Sequence, residues 1–186
     1  MSRKSLLSAV DKTTERTLIV AQSIPKGLWG QEFPNRFGPG EVVAHLVLAT
    51  RFFSAFLFPQ VGVGEPFVPH PSLAPLLNAS GAELRNLITA GNLAQARQYR
   101  KSHSRDEVIE AYAFQRNRIV DLTLLVPEDS YETTVHHPLV EWSDTFEVIF
   151  SELFIDHDAE HRGNIGGLIK ELGGQVPFHS GEISDD

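Results

Sequence analysis

Apolar residues recur along this chain at intervals of three and four, the spacing that gathers side chains on one face of an α-helix. The pattern falls into four long segments. In the first, from about Leu6 to Ile24, Leu6, Val10, Val20 and Ile24 share a face, and Pro25 stops the run. The second extends from about Gly40 to Phe58, ahead of Pro59, and its seam reads Val42, His45, Ala49, Phe52 and Phe56. The third opens at Ser104-Arg105-Asp106-Glu107, which has the S-x-x-E form of a capping box, and reaches about Val126 before Pro127. The fourth starts near Ser143 or Asp144 as helix cap and ends at the Gly173-Gly174 pair. These segments predict an all-α protein folded as a four-helix bundle.

The connection between the second and third segments is long. Pro59 to Ser80 holds five of the eleven prolines and two glycines, which predicts extended chain, and a short extra helix is expected over about Gly81 to Thr89. Adjacent antiparallel helices need only about 2–8 linking residues. A crossover is therefore expected, with the second and third main helices running in the same direction. The reading is one domain over residues 1–174, followed by an acidic, loosely held tail over 175–186.

Composition narrows the function. Sixteen Lys and Arg against twenty-four Asp and Glu give a net charge of −8, which argues against a nucleic-acid partner. The densest basic stretch, Arg97 to Arg105, reads as a solvated loop. The chain has no cysteine, so disulfides, thiolate ligands and a cysteine nucleophile are excluded, and any metal must take N or O donors. The apolar run at the N-terminus breaks at Asp11 and Lys12, too early for a signal peptide. The most apolar stretch, Phe52 to Phe58, falls far short of the ~18 residues that span a bilayer. A soluble, cytoplasmic protein with no membrane partner is expected.

The chemistry sits in the helical seams. One stripe of the fourth segment reads Phe146, Phe150, Leu153, His157, His161, Asn164, Leu168. Two imidazoles four residues apart lie one above the other on a helix, and both can approach one ion at ~2.0–2.1 Å. Two buried imidazoles without partners would carry a desolvation penalty that a metal removes. His45, alone in the apolar seam of the second segment, offers a third nitrogen. Three neutral imidazoles facing one interior make an open metal site with positions left for solvent or substrate.

These residues carry a resemblance. The run Gly40-Glu41-Val42-Val43-Ala44-His45-Leu46, the capped Ser104-Arg105-Asp106-Glu107-Val108, and His157-Asp158-Ala159-Glu160-His161-Arg162-Gly163-Asn164-Ile165 make the chain look like the DinB/YfiT-like superfamily of metal-binding helical bundles. The likeness covers about Leu6 to Leu172. Members carry H-x-x-x-H-R-G-Q-I in the last helix, and Asn164 departs from that glutamine while keeping an amide. The resemblance implies an up-down-down-up four-helix bundle, a three-histidine divalent-metal centre at His45, His157 and His161, and a homodimer. It also implies thiol-dependent transferase or isomerase chemistry, with a low-molecular-weight thiol as cosubstrate.

Other readings of the same residues are weaker. His157-Asp158-Ala159-Glu160-His161 matches the inverted zinc-protease motif H-x-x-E-H, but those enzymes need a carboxylate ligand far downstream and the chain ends 25 residues after His161. Glu160 also points about 80° from the mean direction of the two histidines, at ~100° per residue. A di-iron site would need Glu-x-x-His on two helices and further glutamates, which the seams lack. Asp158 and Glu160 read as surface charges or as partners of a ligand ring. Thr13, Thr17, Tyr112 and Gln115, with Asn164, are candidates to line a pocket above the metal. His136 and His137 read as exposed loop histidines. The expected function is a metal-dependent S-transferase acting on small electrophiles. Metal-dependent hydrolysis and a non-catalytic metal- or ligand-binding bundle are the alternatives. Zinc and nickel are the leading metals, ahead of iron and manganese.

Overall fold

A computed structural model describes residues 2–66, 81–137 and 142–176, and it is mostly helical. Helix α1 spans Arg3–Ser23, a short α2 spans Lys26–Trp29, and α3 spans Pro39–Leu57. Helix α4 spans Gly81–Ser102 and α5 spans Arg105–Leu125. The last helical stretch is continuous but not uniform. It consists of α6 (Phe146–Ser151), a π-helical turn over Glu152–Asp156, and α7 (His157–Glu171). A two-stranded antiparallel sheet, β1 (Thr134–His136) with β2 (Ser143–Thr145), precedes α6 in register Thr134 to Thr145.

The local signals explain the boundaries. Ser104 accepts the Glu107 N–H while the Glu107 carboxylate accepts the Ser104 N–H, so the S-x-x-E motif is a working capping box. At the start of α3, Pro39 takes a first-turn position and the Glu41 carboxylate accepts the Gly38 N–H at 2.8 Å. Gly40 is required there by packing, since a Cβ would come within 2.4 Å of the Trp29 carbonyl oxygen. Helix α7 ends where Gly173 turns left-handed at φ 77° and the Gly174 N–H reaches back to the Ile169 carbonyl.

Several expectations are corrected. The predicted short helix over Gly81 to Thr89 is 22 residues long and packs along α3. The supposed loop from Arg97 to Arg105 is instead the end of α4, a two-residue turn and the start of α5. Its cations are held: Arg97 pairs with the fully buried Glu41 at 2.7 Å, and Arg100 and Lys101 pair with Glu32. Acidic neighbours in distant sequence gave this basic run its helix-side partners. The cap of the last helix is neither Ser143 nor Asp144 but Thr145, the last residue of β2, whose hydroxyl accepts the Val148 N–H. Pro59 and Val61 lie in a 3-10 turn over Phe58–Val61, not in extended chain. Residues 62–66 continue as turns and bends, with Gly62 and Gly64 at positive φ, and residues 67–80 lie outside the described residues, as does the tail from 177.

Two apolar clusters form the core. One gathers Leu6 and Val10 of α1, Phe53 and Leu57 of α3, Ile119 of α5, and Phe146, Phe150 and Phe154 of the last stretch. The other gathers Val20 and Ile24, Val43 and Leu46, Val108 and Tyr112, and Ile165 and Ile169. Each long helix except α4 runs through both clusters. Between them, along every one of these helices, lie polar residues: Thr13 and Thr17, Gln115 and Arg116, and the run His157, Asp158, His161, with His45 facing them from α3. Helix α1 packs on α5 and α7, and α3 packs on the same two helices from the other side.

Helix α3 continues into the following turn as the stretch Pro39–Val61, which is long and apolar enough to cross a membrane, with a mean hydropathy of 1.7. The apolar run in this chain is thus longer than Phe52 to Phe58. Most of it is buried against the other helices, which accounts for its composition.

Candidate metal centre

Three imidazoles meet in the polar layer. His45 projects from α3, and His157 and His161 project from successive turns of α7. The Nε2 atoms of His45 and His157 lie 3.3 Å apart, and the three potential ligand atoms all fall within 4.8 Å of one another. Two donors bound tetrahedrally at ~2.0–2.1 Å would stand ~3.3 Å apart. The observed separation fits that geometry. His45 is buried, and the two α7 rings are half-buried.

The rings are set up as neutral donors. Burial, helped by the neighbouring His161, lowers the His45 pKa to about 3. Burial and the flanking His161, His45 and Arg116 lower that of His157 to about 2. Burial lowers His161 as well, opposed by Glu160 and Asp158. Each ring therefore keeps a free lone pair at neutral pH, the form a metal requires. The Nδ1 atom of His161 is buried and has no hydrogen-bond partner. The protein thus leaves part of the cluster's donor capacity unused, and the three residues could hold a metal ion.

Aromatic rings fix the imidazoles. Phe37 stacks on His45 with centroids 5.0 Å apart and meets His161 edge-on at 6.2 Å. Phe53 meets His157 edge-on at 5.4 Å. His137, read as an exposed loop residue, is instead partly buried near Phe53 and Trp142, which lowers its pKa. His136 is exposed, as expected, but it lies in β1 and not in a loop.

The backbone that carries His157 has its own support. The His157 N–H bonds to the Glu152 carbonyl, five residues back, which closes the π turn immediately before the ligand pair. Such single-turn insertions concentrate at functional sites. Arg116, 1% exposed, donates from Nη2 to the Phe154 carbonyl inside that turn at 2.7 Å and from Nε to Thr14 at 2.9 Å. Its Nη1 lies 3.6 Å from Asp158, which also accepts a short hydrogen bond from the Tyr112 hydroxyl. Asp158 is thus not a surface charge but a buried partner of Arg116 and Tyr112, whereas Glu160 is exposed. Sequence reading missed Arg116 because its place in the helical pattern is that of any long polar side chain.

The pocket candidates separate. Thr13, Thr17, Tyr112 and Gln115 are all buried, in or beside the polar layer, and none of them lines a described cavity. Asn164 is exposed and does line one, one turn beyond His161. Among the described residues, the only group of three or more potential ligands is His45, His157 and His161. Compared with protein-family models, curated proteins and solved structures, the chain finds no match.

Proposed function

We propose that the chain is a DinB-like metal-dependent enzyme, a thiol-dependent S-transferase acting on small electrophiles. One observation carries the reading: three neutral imidazoles from two helices converge to within 4.8 Å, with one pair at the spacing of two ligands on one ion. His45, His157 and His161 would hold the ion. A divalent ion there would supply Lewis acidity and lower the pKa of a coordinated thiol or water. With three protein donors and no fourth in the group, positions stay open to substrate, which distinguishes catalytic from closed structural sites.

The chain's own residues have definite parts in this reading. Phe37 and Phe53 hold the imidazole planes and exclude water from their faces. The Arg116–Asp158–Tyr112 network holds the π turn and so the phase at which both α7 ligands leave the helix. The four-helix bundle belongs to the same proposal. It is supported by the helix ends: α1 and the last stretch run from the first apolar cluster to the second, whereas α3 and α5 run the other way. That is an up-down-down-up path, and α4 forms part of the long crossover. A homodimer and a low-molecular-weight thiol cosubstrate follow from the resemblance.

The test is elemental analysis of untagged protein, followed by activity assays. About one zinc or nickel per chain is expected, lost in His161→Ala and in His45→Ala. Loaded protein should consume thiol in the presence of an electrophile. Metal at one per chain with turnover on ester or amide substrates alone would instead assign a hydrolase. Full metal content in His45→Ala would overturn the ligand set.

A further inference from the structure

An open cavity of about 460 Å³ lies beside the histidine cluster, between the start of α3 and the second half of α7. It adjoins the cluster through Phe37. Phe37, which forms one wall, is the ring stacked on His45. Val42 stands three residues before His45, and Asn164 three residues after His161, so both sit one turn from a proposed ligand. The volume lies within the ~300–1,000 Å³ of small-molecule sites.

Two glycines line this space. Gly163 and Gly167 stand one above the other on α7, and both line the cavity. Neither has a positive φ, and a Cβ added to either would meet nothing within 4 Å. Glycine inside a helix is less stable than alanine. Neither backbone conformation nor close packing calls for glycine at these two positions, so each can carry a larger side chain into the cavity without disturbing the helix.

The lining specifies the ligand. Phe37, Val42 and Leu168 offer an apolar wall with one flat ring. The two charges at the rim are not on offer: Arg36 and Glu171 hold each other through both prongs, one at 2.8 Å, and Arg36 also lies over the Phe33 ring at 4.1 Å. The Asn164 amide is the exposed polar group left, and it both donates and accepts. A chain with net charge −8 further disfavours anions.

We propose that this cavity binds the body of an uncharged, flat aromatic molecule carrying one amide-like hydrogen-bonding group, with its reactive end directed past Phe37 toward the histidines. The direction of that end rests on the metal-enzyme reading, whereas occupancy of the cavity does not. Benzamide is a suitable probe, titrated into ¹⁵N-labelled protein both with and without one equivalent of zinc. The Gly163 and Gly167 amides and the Asn164 side chain should shift saturably in both samples. Gly167→Leu and Gly163→Leu should each weaken benzamide by about tenfold or more while leaving zinc affinity unchanged and the thermal midpoint equal or higher. Absence of shifts, or shifts indifferent to both leucines, would overturn the proposal. So would shifts that follow protein concentration instead of benzamide, which would make this face a contact between copies. Zinc that fails to bind while benzamide shifts persist would remove the metal reading and leave the cavity standing.

Discussion

His45 and His157 are titratable groups kept uncharged by their surroundings, and that has a thermodynamic consequence. The unfolded chain protonates these rings near pH 6.5, whereas the folded, metal-free chain does so only near pH 3 and pH 2. Between those limits the unfolded state binds more protons, so stability falls as pH falls. From pH 6.5 to pH 5 the loss should be about 1.6 kcal/mol for each of the two rings. Urea unfolding of chelator-treated protein at the two pH values measures it, and His45→Asn should remove roughly half of the slope. A flat profile would mean that the rings titrate normally and are not enclosed as described. Glu41 makes a related point. Its carboxylate is fully buried, yet the Gly38 amide and the Arg97 guanidinium satisfy it, so its burial serves a helix start and not a reactive site.

At the level of elements, the π turn is the feature that makes the last helix more than a periodic stripe. A wide turn shifts the phase of everything after it, and it leaves carbonyls without their ordinary partners. Arg116 takes the Phe154 carbonyl and stands beside Asp158, so one buried guanidinium from α5 holds the turn that sets His157. Arg116→Lys keeps the charge but cannot make the forked contacts. It should weaken zinc binding by about 10–100-fold, the usual effect of removing a partner outside the ligand set. Competition against a chromophoric chelator reads this directly. Lowered stability with unchanged zinc affinity would assign the network to folding alone.

Across the whole molecule, the cluster joins helices that are 112 residues apart in sequence at its closest pair. An ion bound there would tie α3 to α7 in the folded state only. Free zinc at ~100 times its dissociation constant should then raise unfolding free energy by ~2.7 kcal/mol. The gain should vanish in His45→Ala and return to the apo value on adding chelator. Equal stabilisation of wild type and His45→Ala in thermal melts would place the ion elsewhere. The polar layer that holds the cluster lies between two apolar cores, so the site is supported from both ends by packed side chains.

Much of this was legible in the chain. Helix starts and stops follow from local rules, because Ser104 and Glu107, Pro25 and Gly173 act on backbone groups within a few residues of themselves. The three histidines were legible too, since an imidazole in an apolar stripe is an anomaly of the helical period alone. What depends on partners far away in sequence was not. Asp158 read as a surface charge or a partner of a ligand ring until Arg116 and Tyr112 closed around it, and Arg97 as a loop cation until Glu41 was placed opposite. Nor does any short-range rule announce the π turn, whose extra residue is stabilised by a guanidinium from another helix. That Asn164 lines a cavity beside Phe37, while Thr13 and Tyr112, grouped with it by the sequence, line none of those described, was likewise tertiary. Periodicity says which face of a helix is turned inward, but only the packing of one helix on the next decides where space is left.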